Sequence, residues 1–552
     1  MKKNIIGFIL FLFASVIFLS ACGGNDEESG SSGENIEGAE EVVQLSEMPD
    51  RPFVFMSQQI IETIDPAKHT DETTTAAVIN IYDALVYPDV EAGTIDPSPN
   101  LATKWDVSED GLTYTFTLRD DVQFHSGNSL TADDVVYSMQ RLLAIKQGSS
   151  WMFSDVLEPE NVKSIDDHTV EFKLNTPYAP FVSTLTQLYV VDSELVKENA
   201  VDGDYGEFGD YGESFLENNT AGSGPYQVVS FDRSSELSLT RFEDYWKGWE
   251  EGQLDEVKIR VVEEEATVRT LLAAGDADMA NQWLSMESYK NFENMEGIEV
   301  AENVDTSIYH IPMHTQKPPL DDVNVRKAIA YAFDYETAVN DIMNGATQAR
   351  GPVSEAIPGH NNEAIQYSKD IEKAKEFLSQ SKYAGEELEI DFVFIGEFPE
   401  HRQFSQLLQN NLKEIGINVN LKPDTWANIT DMASDIESSP HMFLVNVGLR
   451  YPHADAHTYG MYHPSVHGSY LAASWYDNDE VTKVLEEGRK AIDVDEQMNY
   501  YAQAQELIAE DAPSVYIANQ THRIAYRDYI TNYKFVGILG FDLNFYYLRA
   551  NQ

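Results

Sequence analysis

Residues 101–141 read LATKWDVSEDGLTYTFTLRDDVQFHSGNSLTADDVVYSMQR, and this stretch decides the fold. Tyr114, Phe116 and Leu118 alternate with polar residues, which predicts a strand with one apolar and one polar face. Gly111 provides a turn before that strand, because glycine tolerates a positive φ. Thr131 is placed to cap a helix whose first turn is acidic, as the helix dipole favours.

The same stretch resembles a signature of the family 5 extracellular solute-binding proteins, the receptors of peptide and nickel ABC importers. That family has a tryptophan, an SxDGLTYTFxLR strand, an FHxG turn and a TAxDVxYSxxR helix in this order. The matching residues here are Trp105, Ser108–Arg119, Phe124–Gly127 and Thr131–Arg141. Further matches extend the resemblance over roughly residues 50–550, and they lie at Ala221–Tyr226, Pro319–Asp334 and Leu507–Ile517.

The resemblance implies an α/β fold of the periplasmic-binding-protein type (type II, cluster C), with two lobes, a hinge and an inserted domain. It places lobe I in residues 49–90, 221–310 and 518–552, the inserted subdomain in 91–220, and lobe II in 311–517. Two segments near Ile308–Met313 and Tyr516–Arg523 would connect the lobes. Such proteins close on a solute by a hinge motion.

The residues themselves support an α/β lobe in the second half of the chain. Helices predicted over 371–378 and 404–415 each precede a strand, at 388–395 and 417–421. Nearer the amino terminus, the spacing of Ala76, Ile79, Tyr82 and Leu85 predicts a helix, and the acidic, glycine-rich residues 202–217 predict a surface loop.

Length and charge limit the possible functions. The chain has 552 residues, which is too long for one hydrophobic core. Its 37 basic and 93 acidic residues give a net charge of −56, so it would repel nucleic acid and anionic membranes. Solubility in salty or alkaline surroundings explains this charge, and steering of cationic ligands is the alternative.

The amino terminus predicts export and lipid attachment. Two lysines precede an apolar run that is short for a membrane span but suits a signal peptide over residues 1–21. Leu19–Cys22 is similar to a bacterial lipobox, in which Cys22 takes a diacylglyceryl group. Cys22 is the single cysteine, so an intrachain disulfide is excluded. Residues 22–48 predict a flexible acidic tether. We therefore expect a lipid-anchored monomer on the outer face of the cytoplasmic membrane, working with ABC permease subunits.

Candidate ligand contacts follow from the resemblance. Trp426 would line the cleft, with a core position as the alternative. Peptide-binding relatives often read GWxxDYxDP where this chain reads GLRYPHAD at 448–455, and the first of those aspartates pairs with the α-ammonium group of the ligand. Here Leu449 replaces the tryptophan, Pro452 stands at the position of that aspartate, and Asp455 matches the second acid. Either Asp455 binds the amine, or the ligand has no free amino terminus.

Other candidates fall where relatives place cleft loops or the hinge, and a structural role is the alternative for each. They are Arg450, Tyr451, His453, Ser57, Gln58, Trp151, Gln282, Trp283, Tyr309 and His310.

Metal binding and catalysis have weaker support. His453, His457, His463 and His467 form two H-x₃-H spacings, but the segment is rich in Tyr, Pro and Gly, so a helix that would align the imidazoles is doubtful. We therefore expect no metal site and no cofactor. The sequence contains no HExxH, GxSxG, Walker A or CxxC motif, so we do not expect an enzyme.

The leading hypothesis is a substrate-binding lipoprotein of an ABC importer that captures a dipeptide or oligopeptide. The first alternative keeps the scaffold and changes the solute to an oligosaccharide, an opine-like compound or a nickel complex. The second alternative is a surface enzyme or a signalling lipoprotein.

Overall fold

Strands form the framework of the protein. A computed structural model describes residues 47–551 of the chain. The strands are β1 (Phe53–Ser57), β2 (Val86–Pro88), β3 (Pro97–Pro99), β4 (Ala102–Val107), β5 (Thr113–Leu118), β6 (Val162–Asp166), β7 (Thr169–Lys173), β8 (Tyr226–Asp232), β9 (Glu236–Arg241), β10 (Glu256–Val261), β11 (Met279–Ala280), β12 (Ile298–Pro312), β13 (Thr347–Gln348), β14 (Leu388–Ile395), β15 (Ile417–Asp424), β16 (Met442–Phe443), β17 (Val445–Val447), β18 (Ser514–Arg527), β19 (Ile530–Thr531) and β20 (Arg549–Ala550).

Helices connect and cover these strands. They are α1 (Glu72–Ile81), α2 (Ala132–Ile145), α3 (Phe181–Thr184), α4 (Ser193–Asn199), α5 (Glu213–Leu216), α6 (Glu265–Ala274), α7 (Met286–Phe292), α8 (Val323–Ala332), α9 (Tyr335–Thr337), α10 (Ile371–Gln380), α11 (Pro399–Glu414), α12 (Trp426–Ala433), α13 (Tyr459–Tyr462), α14 (Asp479–Lys490) and α15 (Val494–Asp511). Within residues 47–551, none of them combines the length and apolar character that a membrane span requires.

Three sheets organise the molecule. The largest has the order β17-β12-β18-β11-β1-β10-β9-β8, with β13 also beside β18. A parallel sheet, β15-β14-β16, lies in the residues predicted for lobe II, and an antiparallel sheet, β4-β5-β7-β6, lies in the residues predicted for the inserted subdomain. The predicted alternation of helices and strands around β14 and β15 is therefore confirmed.

The strands β12 and β18 are the two segments that the sequence places between the lobes. They pair antiparallel from Ile298–Arg527 at one end to Pro312–Ser514 at the other. The pairing shifts register at two places, between Val304 and Ile308 and between Tyr309 and His310, and we call the first of these irregularities the bulge. Irregularities of this kind bend a strand and redirect its side chains, so the bulge is a special position in the longest ladder of the protein.

The opening stretch folds as predicted. Tyr114, Phe116 and Leu118 are the buried residues of β5, and α2 begins directly after Thr131. Thr131 and Asp134 form a reciprocal capping box, which satisfies helix N–H groups that would otherwise lack partners.

Two local predictions need correction. The helix expected to include Tyr82 and Leu85 ends at Ile81, because Tyr82 adopts extended backbone and the Leu85 N–H donates to the Leu188 carbonyl at 3.0 Å. Residues 202–217 are not simply a surface loop, since they contain α5 and bury Tyr211.

The predicted signal peptide, the lipidation site Cys22 and nearly all of the predicted tether lie outside the described residues. The exceptions are Glu47 and Met48. The Met48 N–H donates to the Asn551 carbonyl at 2.8 Å. Met48 is therefore attached to the carboxyl-terminal end of the fold rather than being part of a free tether.

A buried ion pair connects α2 with the segment that precedes α1. Arg141 on α2 binds both carboxylate oxygens of Asp65 at 2.7 and 2.6 Å, and both side chains are almost fully buried. The Arg141 Nε–H also donates to the Tyr211 carbonyl at 2.8 Å. The guanidinium therefore fixes three separate segments of chain at one point.

We expect Arg141→Ala to lower the free energy of unfolding by about 3–5 kcal/mol, because it leaves the Asp65 carboxylate buried without a partner. Arg233→Ala is the matched control, since its pair with Glu217 is exposed and should contribute less than about 1 kcal/mol. Urea unfolding followed by tryptophan fluorescence measures both. Equal effects of the two substitutions would contradict this role of Arg141.

Candidate functional site

A cavity lies between the two lobes, beside the bulge in the β12–β18 ladder. The first lobe and the carboxyl-terminal segment contribute Gln59, Asp71, Glu72, Gln282, Trp283, Phe535, Val536, Gly537, Ile538, Leu539, Gly540 and Asp542. The crossing strands contribute Asp305, Thr306, Ser307 and His522. The second lobe contributes Ile395, Phe398, His401, Trp426, Val445, Asn446, Gly448, Leu449 and Tyr470.

Stacked aromatic rings connect the lobes at the cavity wall. Trp283 follows β11 and Phe398 is the N-cap residue of α11, and their rings stack with centroids 5.5 Å apart at an angle of 7°. The Trp283 Nε1–H donates to Glu72 Oε2 at 2.6 Å. The lobes are thus in contact around the cavity, as a closed cleft requires.

The bulge itself supplies part of the wall. Asp305, Thr306 and Ser307 lie where the ladder shifts register, so their side chains face the cavity instead of continuing the regular alternation. The Thr306 Oγ1–H donates to the Gly537 carbonyl at 2.5 Å. A Cβ at Gly537 would lie 2.8 Å from Thr306 Cγ2, so glycine permits this close approach.

One wall of the cavity carries carboxylates around an imidazole. His522 Nε2 lies 3.2 Å from Asp542 Oδ2, which also accepts a hydrogen bond from the Tyr533 hydroxyl at 2.8 Å. Burial opposes protonation of His522, but the charges of Asp542, Asp305 and Glu72 outweigh it and raise the pKa of His522. We call Glu72, Asp305 and Asp542 the acid wall.

Burial lowers the pKa of a histidine but raises the pKa of a carboxyl group, because in both cases it disfavours the charged form. It raises the pKa of Glu72 to about 7, and the charge of Asp542 adds to the shift. Burial also raises the pKa of Asp305, against the opposing effect of His522. His401, on the second-lobe side, has its pKa lowered to about 3 by burial and is neutral near pH 7. The wall therefore holds negative charge at a cost in stability.

Three predicted contacts meet at this cavity. Trp426 begins α12 after the Thr425 cap, and its ring packs edge-on against Tyr470 with centroids 4.7 Å apart. Gln282 and Trp283 lie on the opposite side, in the first lobe. The structure thus brings these side chains to one space, and their binding of ligand stays a prediction.

Two further candidates line a neighbouring cavity. Arg450 and Trp151 lie there with Lys68 and Lys146, and Tyr470 belongs to the walls of both cavities. The Arg450 guanidinium donates to the Thr70 carbonyl and, at 2.6 Å, to the Tyr470 hydroxyl. This second cavity is therefore basic where the first is acidic.

Asp455 is fully buried away from both cavities. Its carboxylate accepts hydrogen bonds from the Tyr501 hydroxyl at 2.7 Å and the Tyr451 hydroxyl at 2.6 Å, and it pairs with Arg489 at 3.2 Å. Burial disfavours its charge, but Arg489 and His453 more than offset this, and the pKa of Asp455 is lowered. This satisfied network does not favour Asp455 as the ligand's amine anchor.

The remaining candidates are also internal. Tyr451 and His453 belong to the Asp455 network, and the Ser57 hydroxyl lies 2.7 Å from the Thr73 hydroxyl. Gln58 is buried beside the Glu263 carbonyl. Tyr309 packs against Phe404 and His401, and His310 stacks on Tyr516. Their contact with ligand stays a prediction.

The four histidines of the H-x₃-H spacings do not converge. His453 contacts Gln497, His463 contacts Ser465, and His467 contacts the Tyr476 carbonyl. Across residues 47–551, no group of three or more His, Cys, Asp or Glu side chains is arranged to hold a metal ion.

Sequence reasoning missed the acid wall, His522, Asn446, Phe398 and Tyr470. With 93 acidic residues, neither Asp305 nor Asp542 stands out. Glu72 follows the capping residue Asp71, and its local sequence explains it simply as an acid that is favourable in the first turn of a helix. No local pattern identifies these residues, because they lie on elements far apart in the chain that meet only in the tertiary fold.

Comparison with known proteins assigns the family. Residues 96–469 match the model of the bacterial extracellular solute-binding proteins, family 5. The chain belongs to this family.

Relatives agree over most of the chain. It is 29% identical over 482 residues to the probable D,D-dipeptide-binding periplasmic protein DdpA of Escherichia coli, covering 86% of this chain and 89% of that protein. It is 28% identical to the Escherichia coli dipeptide-binding protein, covering 85% and 90%. A solved structure of the periplasmic binding protein DppA from Helicobacter pylori, in complex with the peptide STSA, superposes with a TM-score of 0.80 at 24% identity, covering 91% and 98%. The two-lobed, type II α/β fold is therefore confirmed.

We expect Glu72→Gln to stabilise the ligand-free protein at pH 8 but much less at pH 5. The pKa of Glu72 is about 7 in the folded protein and about 4.5 in the unfolded chain. The folded protein therefore loses stability as the pH rises from about 4.5 to 7. Removing the charge should recover up to about 3 kcal/mol at pH 8. Urea unfolding at both pH values measures this, with the exposed Glu109→Gln as control. An equal change at both pH values would contradict an ionised, buried Glu72.

Proposed function

We propose that this protein is the substrate-binding lipoprotein of an ABC importer and that it captures short peptides in the interlobe cavity. The observation that carries the proposal is a cavity with walls from both lobes and from the two crossing strands, in a chain of this solute-binding family.

Charge supports a ligand with two opposite ends. The main cavity has carboxylates in its wall, and the neighbouring one has Lys146 and Arg450, with Tyr470 between the two cavities. A peptide with free termini carries a cation at one end and an anion at the other. A neutral oligosaccharide offers neither charge, so the electrostatics favour the peptide.

Membrane attachment and delivery complete the proposal. The lipobox-like Leu19–Cys22 supports a diacylglyceryl anchor at Cys22. The acidic residues after it support a tether between the folded part and the outer face of the cytoplasmic membrane. Each relative compared above is a periplasmic binding protein or a dipeptide-binding protein by name. ABC permease subunits are therefore the partners we propose.

Mass spectrometry of the ligand that co-purifies with the protein tests the central claim. We expect peptides of mixed sequence and small size, released unchanged on denaturation. Recovery of a single sugar or a metal complex would overturn the peptide assignment. Recovery of peptide cleavage products after incubation would instead indicate an enzyme.

We expect Trp426→Ala to weaken peptide binding by at least about tenfold, because a large aromatic wall of the cavity is lost. Calorimetric titration with the peptide recovered in highest yield measures the dissociation constant. Trp105→Ala is the matched control, since Trp105 packs on Phe116 in the inserted subdomain. An unchanged dissociation constant in a folded Trp426→Ala protein would show that the ligand lies elsewhere.

A further inference from the structure

The main cavity contains uncompensated negative charge. Four carboxylates line it, from Asp71, Glu72, Asp305 and Asp542. Among its lining residues in the described part of the chain there is no lysine or arginine. His522 is the basic side chain in contact with the acid wall, and one imidazolium cannot neutralise these carboxylates. A ligand that enters this space meets a net negative wall.

Each acid of the wall is held in position and keeps capacity to bind. Glu72 accepts from Trp283 Nε1–H, Asp305 accepts from the Ser307 hydroxyl at 2.5 Å, and Asp542 accepts from the Tyr533 hydroxyl. An ionised carboxylate has about four lone-pair sites, so one or two donors leave acceptor capacity on each. Fixed acceptors of this kind suit a group with several N–H donors.

Two amide oxygens in the same cavity also lack donors. Gln282 exposes only 9% of its surface, and its Oε1 accepts no hydrogen bond. Asn446, on the second lobe, donates through Nδ2 to Gln520 Oε1 at 2.6 Å while its own Oδ1 accepts none. A buried acceptor without a donor is costly, so both oxygens indicate that a donor-rich ligand completes the cavity.

Charge and donor supply together select the ligand group. A sugar hydroxyl could donate to the amide oxygens but would leave the carboxylate charge uncompensated. A single metal ion does not fit either, since the acids do not converge as a metal site among the described residues. An ammonium or guanidinium group supplies both positive charge and several N–H donors.

We propose that Asp542, Asp305 and Glu72, on the first lobe and the crossing strand, bind a positively charged amino or guanidino group of the ligand. This rests on the proposed peptide-binding function and gives the cationic end a location on the first lobe. The second lobe offers no equivalent acid at the corresponding turn, because Pro452 occupies one position and Asp455 is neutralised by Arg489. The ligand's cationic end therefore contacts the first lobe and the crossing strand, and the second lobe closes over it.

Capture of a peptide mixture by the ligand-free full-length protein tests this. The probes are a tryptic digest of casein, the same digest acetylated on all amines, and the same digest reductively dimethylated. Acetylation removes the positive charge of every amine, whereas dimethylation adds similar bulk and keeps it. Peptides that contain arginine are left out of the comparison, because acetylation leaves a guanidinium group charged. We expect the native and dimethylated peptides to be retained at least about tenfold better than the acetylated ones, as measured by quantitative mass spectrometry.

Substitutions in the acid wall test whether its carboxylates cause this difference in peptide retention. Asp542→Asn and Glu72→Gln should each reduce retention of the native digest by at least about tenfold and leave retention of the acetylated digest unchanged. Glu109→Gln removes an exposed charge elsewhere and should retain peptides as the wild type does. Thermal melting confirms that each variant is folded, and Glu72→Gln provides the test if Asp542→Asn fails to fold.

The possible failures are distinguishable. Equal retention of native and acetylated digests by the wild type would overturn the cation-binding wall while leaving peptide binding in place. If the dimethylated digest were retained as weakly as the acetylated one, the protein would select peptides by size, and this would also overturn cation binding by the acid wall. No retention of any digest would overturn the proposed function itself.

Discussion

The pairing of β12 with β18 is the interaction on which the rest of the structure depends. These strands run antiparallel between the lobes, so a long ladder of backbone hydrogen bonds fixes how the lobes face each other. The register of this ladder shifts at two places, and at the first of them, between Val304 and Ile308, Asp305, Thr306 and Ser307 line the cavity. A regular ladder would have left these side chains alternating between the faces of the sheet. The irregularity thus places polar groups where a ligand can reach them.

Two clusters of buried carboxylates differ in whether their negative charge is compensated by neighbouring groups. Asp455 receives a guanidinium and tyrosine hydroxyls, so its charge is compensated and its pKa is lowered. The acid wall receives an imidazole and a few neutral donors, which do not offset the desolvation of Glu72, so burial raises the pKa of Glu72. The charge of the first cluster is compensated within the fold, whereas the charge of the second is held at the expense of stability. Such a contrast is typical of a structural network beside a binding surface.

Glu72 shows how local and long-range requirements can differ at one residue. An acid in the first turn of a helix is favourable, and Asp71 caps the same turn. The tertiary fold then buries this acid near Asp542 and beneath Trp283, where desolvation opposes the same charge. Trp283, whose indole donates to Glu72, stacks on Phe398 of the second lobe. Closure of the lobes and the unusual electrostatics of the cavity are therefore linked through these aromatic rings.

The sequence by itself determined the family, the α/β class and most of the local elements. The strand around Phe116, the capped helix after Thr131 and the strand Leu388–Ile395 follow from periodicity and capping, which act over a few residues. The structure brings Trp426, Gln282 and Trp283, which the resemblance to the family singles out, to one cavity, and their contact with ligand stays a prediction. Only the tertiary structure decided that Asp455 is internal and that Glu72, Asp305 and Asp542 share a wall. These acids are separated by more than two hundred positions in the chain, and long-range strand pairing, which no local pattern encodes, brings them together.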